Sequence, residues 1–177
     1  MALELIIGSM YSGKTTELLR RVRRFESIDK RVMVFNHALD DRYGEGVHTH
    51  YGDGTKAIKL HKLSSFDKCF DRFTRKIDVV AIDEGQFFPD LVESVLRMVN
   101  AHNIHVLVAG LNGDYKQQPF GDIAQLLPHA DDIVFCKAYC NHCKNGTLAS
   151  FTKRLSGGDE QVEVASAYAA VCRSCLS

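Results

Sequence analysis

Residues 8–15 fit the pattern G-x-x-x-x-G-K-[ST] without a gap. In this pattern the glycines let backbone amides surround phosphate oxygens, and the N-terminus of the following helix favours their negative charge. Lys14 would reach the β- and γ-phosphates, and the Thr15 hydroxyl would ligate Mg²⁺. The segment therefore predicts a site for ATP or a related nucleoside triphosphate, formed by Gly8, Ser9, Met10, Tyr11, Ser12, Gly13, Lys14 and Thr15.

An acidic pair, Asp83 and Glu84, directly follows the apolar run 79–82. Ligands of open parallel sheets collect at the carboxyl ends of the strands. We expect this strand to lie beside the strand that precedes Gly8, so that Asp83 holds Mg²⁺ through water. Two roles are open for Glu84, which could activate water or accept a proton from a substrate hydroxyl. An acidic start of a helix is the alternative interpretation of the pair.

Four of the cysteines form two C-x-x-C pairs, Cys140 with Cys143 and Cys172 with Cys175. This spacing suits tetrahedral coordination of Zn²⁺ by thiolates. Four protein ligands leave no open coordination position, so we expect a structural zinc. Disulfides are the competing interpretation, and they are uncommon in reducing compartments.

Short apolar runs alternate with helix-like segments along most of the chain. We predict strands over residues 5–7, 31–35, 78–82, 105–109 and 133–136, and helices over 16–25 and 88–103. Such an alternation indicates an α/β fold in which helices cover both faces of a mostly parallel sheet.

Two segments depart from this alternation. Residues 40–62 contain four glycines without clear periodicity, and we predict a long mobile loop there, with a hairpin around Gly52-Asp53-Gly54. After Cys136 the composition shifts to Cys, Gly, Asn and Ser. We therefore predict a nucleotide-binding domain over 1–136 and a zinc-binding domain over 137–177.

The composition is that of an ordinary globular protein, with 45% hydrophobic and 25% charged residues in 177. Lys plus Arg and Asp plus Glu both total 22, and this balance argues against a large nucleic-acid footprint. No apolar run approaches the length that spans a membrane, and the first predicted strand leaves no room for a signal peptide. We expect a cytoplasmic protein without nucleic-acid or membrane partners.

The segment 82–90, Ile-Asp-Glu-Gly-Gln-Phe-Phe-Pro-Asp, resembles the type II thymidine kinases, the zinc-containing enzymes of vertebrate cytosol, bacteria and large DNA viruses. The phosphate loop, residues 16–25 and the two cysteine pairs match the same family. Further matches are Asp-Asp-Arg-Tyr at 40–43, Gly-Asp-Tyr at 113–115, Pro-Phe-Gly at 119–121, Thr-Lys-Arg-Leu at 152–155 and Val-Glu-Val at 162–164. The resemblance runs from Leu5 to Cys175.

The resemblance implies a RecA-like P-loop core followed by a small zinc-held domain, from which a loop called the lasso closes over thymidine. The implied reaction transfers the γ-phosphoryl group of ATP to the 5′-hydroxyl of thymidine and yields dTMP and ADP. It also implies a homotetramer with dTTP as feedback inhibitor.

Carried over residue by residue, the resemblance makes Glu84 the base for the 5′-hydroxyl and places Lys14 and Arg42 at the transferring phosphoryl group. It adds Asp40, Arg42, Asp83 and Gln86 to the nucleotide site. The implied nucleoside pocket consists of Met10, Phe87, Leu111, Tyr115, Phe120, Thr152, Val162, Glu163, Val164, Ala165, Ser166 and Tyr168.

Two segments depart from the family pattern. Residues 110–115 read Gly-Leu-Asn-Gly-Asp-Tyr where the family usually has Ala-Leu-Asp-Gly-Thr-Phe, and Ala-Ser-Ala at 165–167 stands where it has Gly-Gly. Two other functions are alternatives: a P-loop ATPase that grips nucleic acid through its zinc module, and a nucleotide-dependent adaptor whose zinc module binds a protein. ATP consumption tested with thymidine and with single-stranded DNA separates these functions.

Overall fold

The computed structural model describes residues 1–39, 47–48, 54–66, 76–157, 161 and 167–177. Its strands are β1 (Leu3–Gly8), β2 (Val32–His37), β3 (Val47–His48), β4 (Gly54–Thr55), β5 (Ile58–Leu60), β6 (Val79–Ile82), β7 (His105–Leu111), β8 (Asp132–Cys136), β9 (Ala138–Tyr139), β10 (Leu148–Ala149), β11 (Phe151–Arg154) and β12 (Tyr168–Val171). Its helices are α1 (Lys14–Glu26), α2 (Leu91–Asn100), α3 (Ile123–Leu126) and α4 (Arg173–Leu176), with 3₁₀ turns at Gly85–Phe87 and Leu127–His129.

Six strands of the described ranges form one sheet in the order β5-β2-β6-β7-β1-β8, and every neighbouring pair is parallel. This confirms the predicted α/β class. The prediction that β6 lies directly beside β1 is wrong, because β7 lies between these two strands and pairs with both. The chain leaves β6, passes through α2 and returns as β7, which lies between β6 and β1.

The two faces of the sheet carry separate apolar cores, because alternate residues of each strand point to opposite faces. On one face, Leu18 and Val22 of α1 pack with Ile6 of β1 and residues of the three strands beyond it. On the other face, Leu91 and Val95 of α2 pack within a larger core. Both helices are thus held by the central strands, whose carboxyl ends carry the site.

Helix α2 is shorter than the predicted span 88–103. Phe88 is extended, with φ −82° and ψ 115°, as expected for a residue before proline. The Asp90 carboxylate accepts hydrogen bonds from the backbone N–H groups of Leu63 (3.0 Å) and Ser64 (2.8 Å), which ties the start of the helix to the segment after β5.

The prediction of a loop over residues 40–62 is partly wrong. Within it, β5 pairs with β2 at the edge of the main sheet, whereas the antiparallel pairing of β3 with β4 confirms the predicted hairpin. The strand β5 is only three residues long, has Lys59 at its centre and leaves Ile58 38% exposed, so it lacks the apolar signal of a central strand. The predicted turn at Gly52 and Asp53 lies outside the described residues.

The elements after β8 form their own small cluster. β9 pairs with β10 and β11 pairs with β12, both antiparallel. Their shared core consists of small side chains and cysteines: Ala138, Cys140, Ala149, Ala169, Ala170, Val171 and Cys172. Within the described ranges, no helix combines the length and the apolar character needed to cross a bilayer.

Candidate active site

The predicted phosphate loop connects the carboxyl end of β1 to the first turn of α1. A Cβ atom at Gly8 would overlap the backbone carbonyl oxygen of Cys136, so the close approach of β1 and β8 requires glycine. Gly13 has φ +80° and directly precedes Lys14, the first residue of α1. This left-handed conformation is one that glycine adopts without steric cost, and it turns the chain into a helix whose N-terminus faces the loop.

Polar contacts inside the loop converge on the Ser9 carbonyl oxygen. The Lys14 ammonium donates a hydrogen bond to it at 2.8 Å, and the Ser12 hydroxyl donates another at 2.8 Å. Lys14 is only 9% exposed, so its charge sits at the centre of the loop. A buried, fixed cation at a helix N-terminus is suited to phosphate oxygens.

Thr15 and Asp83 meet although they belong to different elements. The Thr15 hydroxyl donates a hydrogen bond to Oδ2 of Asp83 at 3.0 Å, and Asp83 is 4% exposed. Burial, and next the charge of Glu84, raise the pKa of Asp83 to about 7. A hydroxyl beside a buried carboxylate at a phosphate loop is a donor set that fits Mg²⁺.

The raised pKa of Asp83 gives a stability prediction with a defined sign. The folded protein binds this proton more tightly than the unfolded chain, so stability falls as pH rises from about 4 to about 7. We expect Asp83→Asn to raise the midpoint of thermal unfolding at pH 8 in metal-free buffer, because an ionised carboxylate is no longer buried. The gain should disappear near pH 4, and a variant that is less stable than the parent at pH 8 would contradict the assignment.

Glu84 follows Asp83 with a backbone conformation that is uncommon outside glycine, φ 51° and ψ 44°. Such conformations cost about 1–3 kcal/mol and cluster at functional sites. The Glu84 side chain is half-buried, and its charge acts on the neighbouring Asp83 carboxylate. Gln86, by contrast, is buried, and its side-chain amide donates a hydrogen bond to Oε2 of Glu84 at 2.6 Å.

Several aromatic residues of the predicted nucleoside pocket lie close to one another. The rings of Phe87 and Phe120 meet edge to face, with centroids 5.6 Å apart. The Arg154 guanidinium lies over the Tyr115 ring, 3.9 Å from its centroid, and donates a hydrogen bond to the Tyr168 hydroxyl at 2.7 Å. The structure thus joins a loop of the core to β11 and β12 through Arg154.

A second link between the core and the C-terminal region was not predicted from the sequence. The Gln161 amide donates hydrogen bonds to Oδ2 of Asp114 at 2.9 Å and to the Pro119 carbonyl at 3.3 Å. Asp114 is 8% exposed, and its Oδ1 also accepts hydrogen bonds from two backbone N–H groups of its own loop. The sequence signal that could have indicated this link is residue 114, where this chain has an aspartate, whose carboxylate only accepts hydrogen bonds, in place of the threonine that the family usually has.

Thr152 was predicted to contact substrate, and the structure gives it a contact with the phosphate loop. Its hydroxyl oxygen accepts a hydrogen bond from the Met10 backbone N–H at 3.0 Å, and the side chain is 6% exposed. Nearby, the Ser9 hydroxyl donates to the Ala149 carbonyl at 3.4 Å. The C-terminal strands therefore hold two consecutive residues of the phosphate loop.

We expect Thr152→Val to lower the free energy of unfolding by about 1–3 kcal/mol, because valine keeps the shape but leaves the Met10 N–H without its acceptor. Thr152→Ser retains the hydroxyl and is the matched control, with a much smaller loss. Denaturant unfolding of both variants measures the difference. Equal losses would contradict this expectation, because they would show that the methyl group contributes as much to stability as the hydrogen bond.

The four predicted zinc ligands lie in one cluster. The sulfur atoms of Cys140, Cys143, Cys172 and Cys175 are all within 4.8 Å of one another. Cys143 Sγ is 3.7 Å from Cys172 Sγ and 3.5 Å from Cys175 Sγ, far beyond the S–S bond of about 2.0 Å. Four thiolates bound at about 2.3 Å to one Zn²⁺ would stand about 3.8 Å apart, so the cluster could hold zinc.

Backbone N–H groups point at one of these sulfurs. Cys143 and Cys172 donate N–H hydrogen bonds to Cys140 Sγ at 3.5 and 3.4 Å. These hydrogen bonds lower the pKa of Cys140 to about 6. Stabilisation of a thiolate by N–H donors is what a structural zinc site requires of its ligands.

Some predicted site residues lie outside the described part of the chain. They are Asp40 and Arg42 of the nucleotide site, together with Val162, Glu163, Val164, Ala165 and Ser166 of the nucleoside pocket. Their roles stay predictions.

The chain is similar to known proteins over nearly its whole length. The family model described as thymidine kinase matches residues 1–176. The thymidine kinases of variola virus and of vaccinia virus (strain Ankara) are each 40% identical over 176 residues, which cover 98% of this chain and 95% of theirs. That of myxoma virus (strain Uriarra) is 37% identical over 98% of this chain and 94% of its own. Because the match extends over nearly the whole of both chains, the chain belongs to the thymidine kinase family.

Proposed function

We propose that this kinase transfers the γ-phosphoryl group of ATP to the 5′-hydroxyl of thymidine, with Glu84 as the base that accepts the hydroxyl proton. Besides the family, one observation carries this assignment. The hydrogen bond between Thr15 and Asp83 brings the end of β6 to the phosphate loop, and Glu84 therefore stands where a transferred phosphoryl group and an acceptor hydroxyl would meet.

The chemistry asks the protein mainly for positioning and for stabilisation of charge. Lys14 holds a fixed positive charge inside the loop that would surround the β- and γ-phosphates. Thr15 and Asp83 would hold Mg²⁺, which would supply further charge neutralisation at the phosphates. Glu84 would take the proton from the hydroxyl as it attacks, and Arg42 would steady the transferring group.

The C-terminal region would act as the lid of the site. The Arg154 and Gln161 contacts with the loop after β7 support a closed arrangement of this region on the core. A lid that excludes water protects ATP from hydrolysis before the nucleoside arrives. Thymidine would lie against Phe87, Phe120 and the other predicted pocket residues.

Two further parts of the proposal, the homotetramer and feedback inhibition by dTTP, rest on the resemblance to the type II enzymes. The spacing and clustering of the four cysteines support a structural Zn²⁺. The location in the cytoplasm stays the expectation drawn from the sequence. The division into domains at residue 136 is supported by the separate small core of the C-terminal strands.

One assay tests the function directly. Product formation from ATP is measured with each of the four deoxynucleosides, and ATP consumption is measured with single-stranded DNA in parallel. The proposal expects rapid formation of dTMP with thymidine and no stimulation by DNA. Stimulation by DNA without nucleoside phosphorylation would instead indicate the P-loop ATPase, and a response to neither would indicate an adaptor.

A further inference from the structure

The Gln86 side chain bridges the carboxyl ends of two central strands. Its Oε1 accepts a hydrogen bond from the Leu111 backbone N–H, at the end of β7, at 3.1 Å. Its Nε2 donates a hydrogen bond to Oε2 of Glu84, just after β6, at 2.6 Å. Because a backbone N–H can only donate, the Leu111 contact determines which end of the amide is oxygen. The nitrogen end must therefore face Glu84.

The surroundings leave this amide little freedom. Gln86 is 4% exposed. A Cβ atom at Gly110 would lie 3.0 Å from Oε1 of Gln86, and a Cβ atom at Gly121 would overlap the Gln86 backbone carbonyl. Gly121 thus approaches the Gln86 backbone as closely as only glycine allows, and the backbone at Gly110 passes close to the side-chain oxygen.

We propose that Gln86 is a positioning residue that holds the Glu84 carboxylate for proton transfer, a role that rests on the proposed function of Glu84 as the base. The hydrogen bond to Oε2 anchors one oxygen of the Glu84 carboxylate, and this anchor would set the orientation of the carboxylate toward an acceptor hydroxyl. The sequence had placed Gln86 among the nucleotide contacts, whereas its described contacts are with the base and with β7.

A positioning residue is needed here because Glu84 begins a 3₁₀ turn and is only half-buried. A misplacement of about 1 Å at a reacting group can cost about 10²-fold in rate, so a fixed partner for this carboxylate would favour catalysis. Leu111, the other partner of Gln86, belongs to the predicted nucleoside pocket. The amide therefore fixes the base relative to a wall of that pocket.

The test uses two substitutions of Gln86 that differ in which of its two side-chain hydrogen bonds they remove. Gln86→Met keeps the length of the side chain and loses both hydrogen bonds. Gln86→Glu keeps the shape and the acceptor for Leu111 N–H, but it replaces the donor with an oxygen that faces the Glu84 carboxylate. We expect Gln86→Met to lower kcat by about 10- to 10²-fold with KM for thymidine within about threefold, and Gln86→Glu to lower kcat at least as much.

A purely structural role predicts that the loss of kcat in both variants follows their loss of stability, because both break the contact with Glu84 and Gln86→Glu also buries a second carboxyl group. The same substitutions in a Glu84→Gln background complete a double-mutant cycle. If Gln86 acts through the base, Gln86→Met should lower the residual kcat of that background by less than about twofold. Thermal unfolding of each variant, with and without ATP, verifies that the proteins compared are folded.

The outcomes separate the two hypotheses. Near-normal kcat of Glu84→Gln alone would overturn the base assignment and with it the role of Gln86. A strong loss in Glu84→Gln together with a wild-type kcat in Gln86→Met would leave the base assignment standing and overturn the positioning role. If Gln86→Met lowers kcat by the same factor in the wild-type and Glu84→Gln backgrounds, the positioning role is overturned as well.

Discussion

Replacement of Glu84 by Gln is expected to lower kcat for thymidine phosphorylation by about 10²–10⁴-fold, the usual contribution of a general base. The amide is nearly isosteric with the carboxylate but accepts no proton at neutral pH. Its oxygen can still accept the hydrogen bond from Gln86, so the local geometry should persist. ATP binding, measured by calorimetry, should remain close to that of the parent protein.

A matched control is available on helix α2. Glu93 has a side chain that is 81% exposed and pairs with Arg97 at 3.6 Å, one turn further along the helix. Exposed pairs of this kind contribute little to stability, and Glu93→Gln should keep kcat within about twofold of the parent value. A near-normal kcat in Glu84→Gln would contradict the assignment of Glu84 as the base.

The local signals in the sequence predicted most of the fold. The phosphate loop, the central strands and α1 each carry a pattern within about ten residues of chain. Helix boundaries were less accurate, because the extended Phe88 and the contacts of Asp90 with Leu63 and Ser64 delay the start of α2. Such contacts join residues that are far apart in the sequence, and the periodicity of apolar residues within one segment does not predict them.

Strand order was the clearest error at the level of topology. Both β6 and β7 are continuous buried runs, and nothing in either run says which one pairs with β1. The structure inserts β7 between them, yet the Thr15 hydroxyl still reaches Asp83. Helix α1 packs over β1, β7 and β6 together, and its first turn therefore stands above the end of β6 without direct pairing of the two strands.

The contacts of the site were predicted less well than its members. The sequence identified Thr152, Gln86 and Tyr168 through resemblance, but their partners are set by side-chain geometry. Thr152 bonds to the phosphate loop, Gln86 bonds to Glu84, and Tyr168 accepts a hydrogen bond from Arg154. Gln161 was missed because its partner Asp114 lies 47 positions earlier in the chain.

These contacts make the C-terminal region a neighbour of the phosphate loop and of the loop after β7. Thr152 and Ala149 hold the phosphate loop, whereas Arg154 and Gln161 hold the loop that carries Tyr115. The small core of the region contains mostly alanines and cysteines. Burial of alanines contributes little free energy compared with burial of larger side chains, and the region must depend on another source of stability.

Replacement of Cys172 by Ser tests whether a metal is that source. The protein should bind one Zn²⁺ per chain, and the loss of one thiolate ligand should lower the affinity for zinc steeply. The C-terminal strands should then lose their order, since a core of this size does not hold itself together. The large cores on the two faces of the sheet contain no residue of this region, so the nucleotide domain should remain folded.

The expected result is an unequal loss of affinity. Thymidine binding depends on the closed region and should weaken far more than ATP binding, which loses only the support that Thr152 and Ala149 give to the loop. Elemental analysis in metal-free buffers measures zinc, and calorimetry measures both affinities. Cys136→Ser, which removes a thiol outside the cluster, is the control and should retain one zinc per chain. Full thymidine affinity in a zinc-free Cys172→Ser protein would show that recognition of thymidine does not depend on the metal.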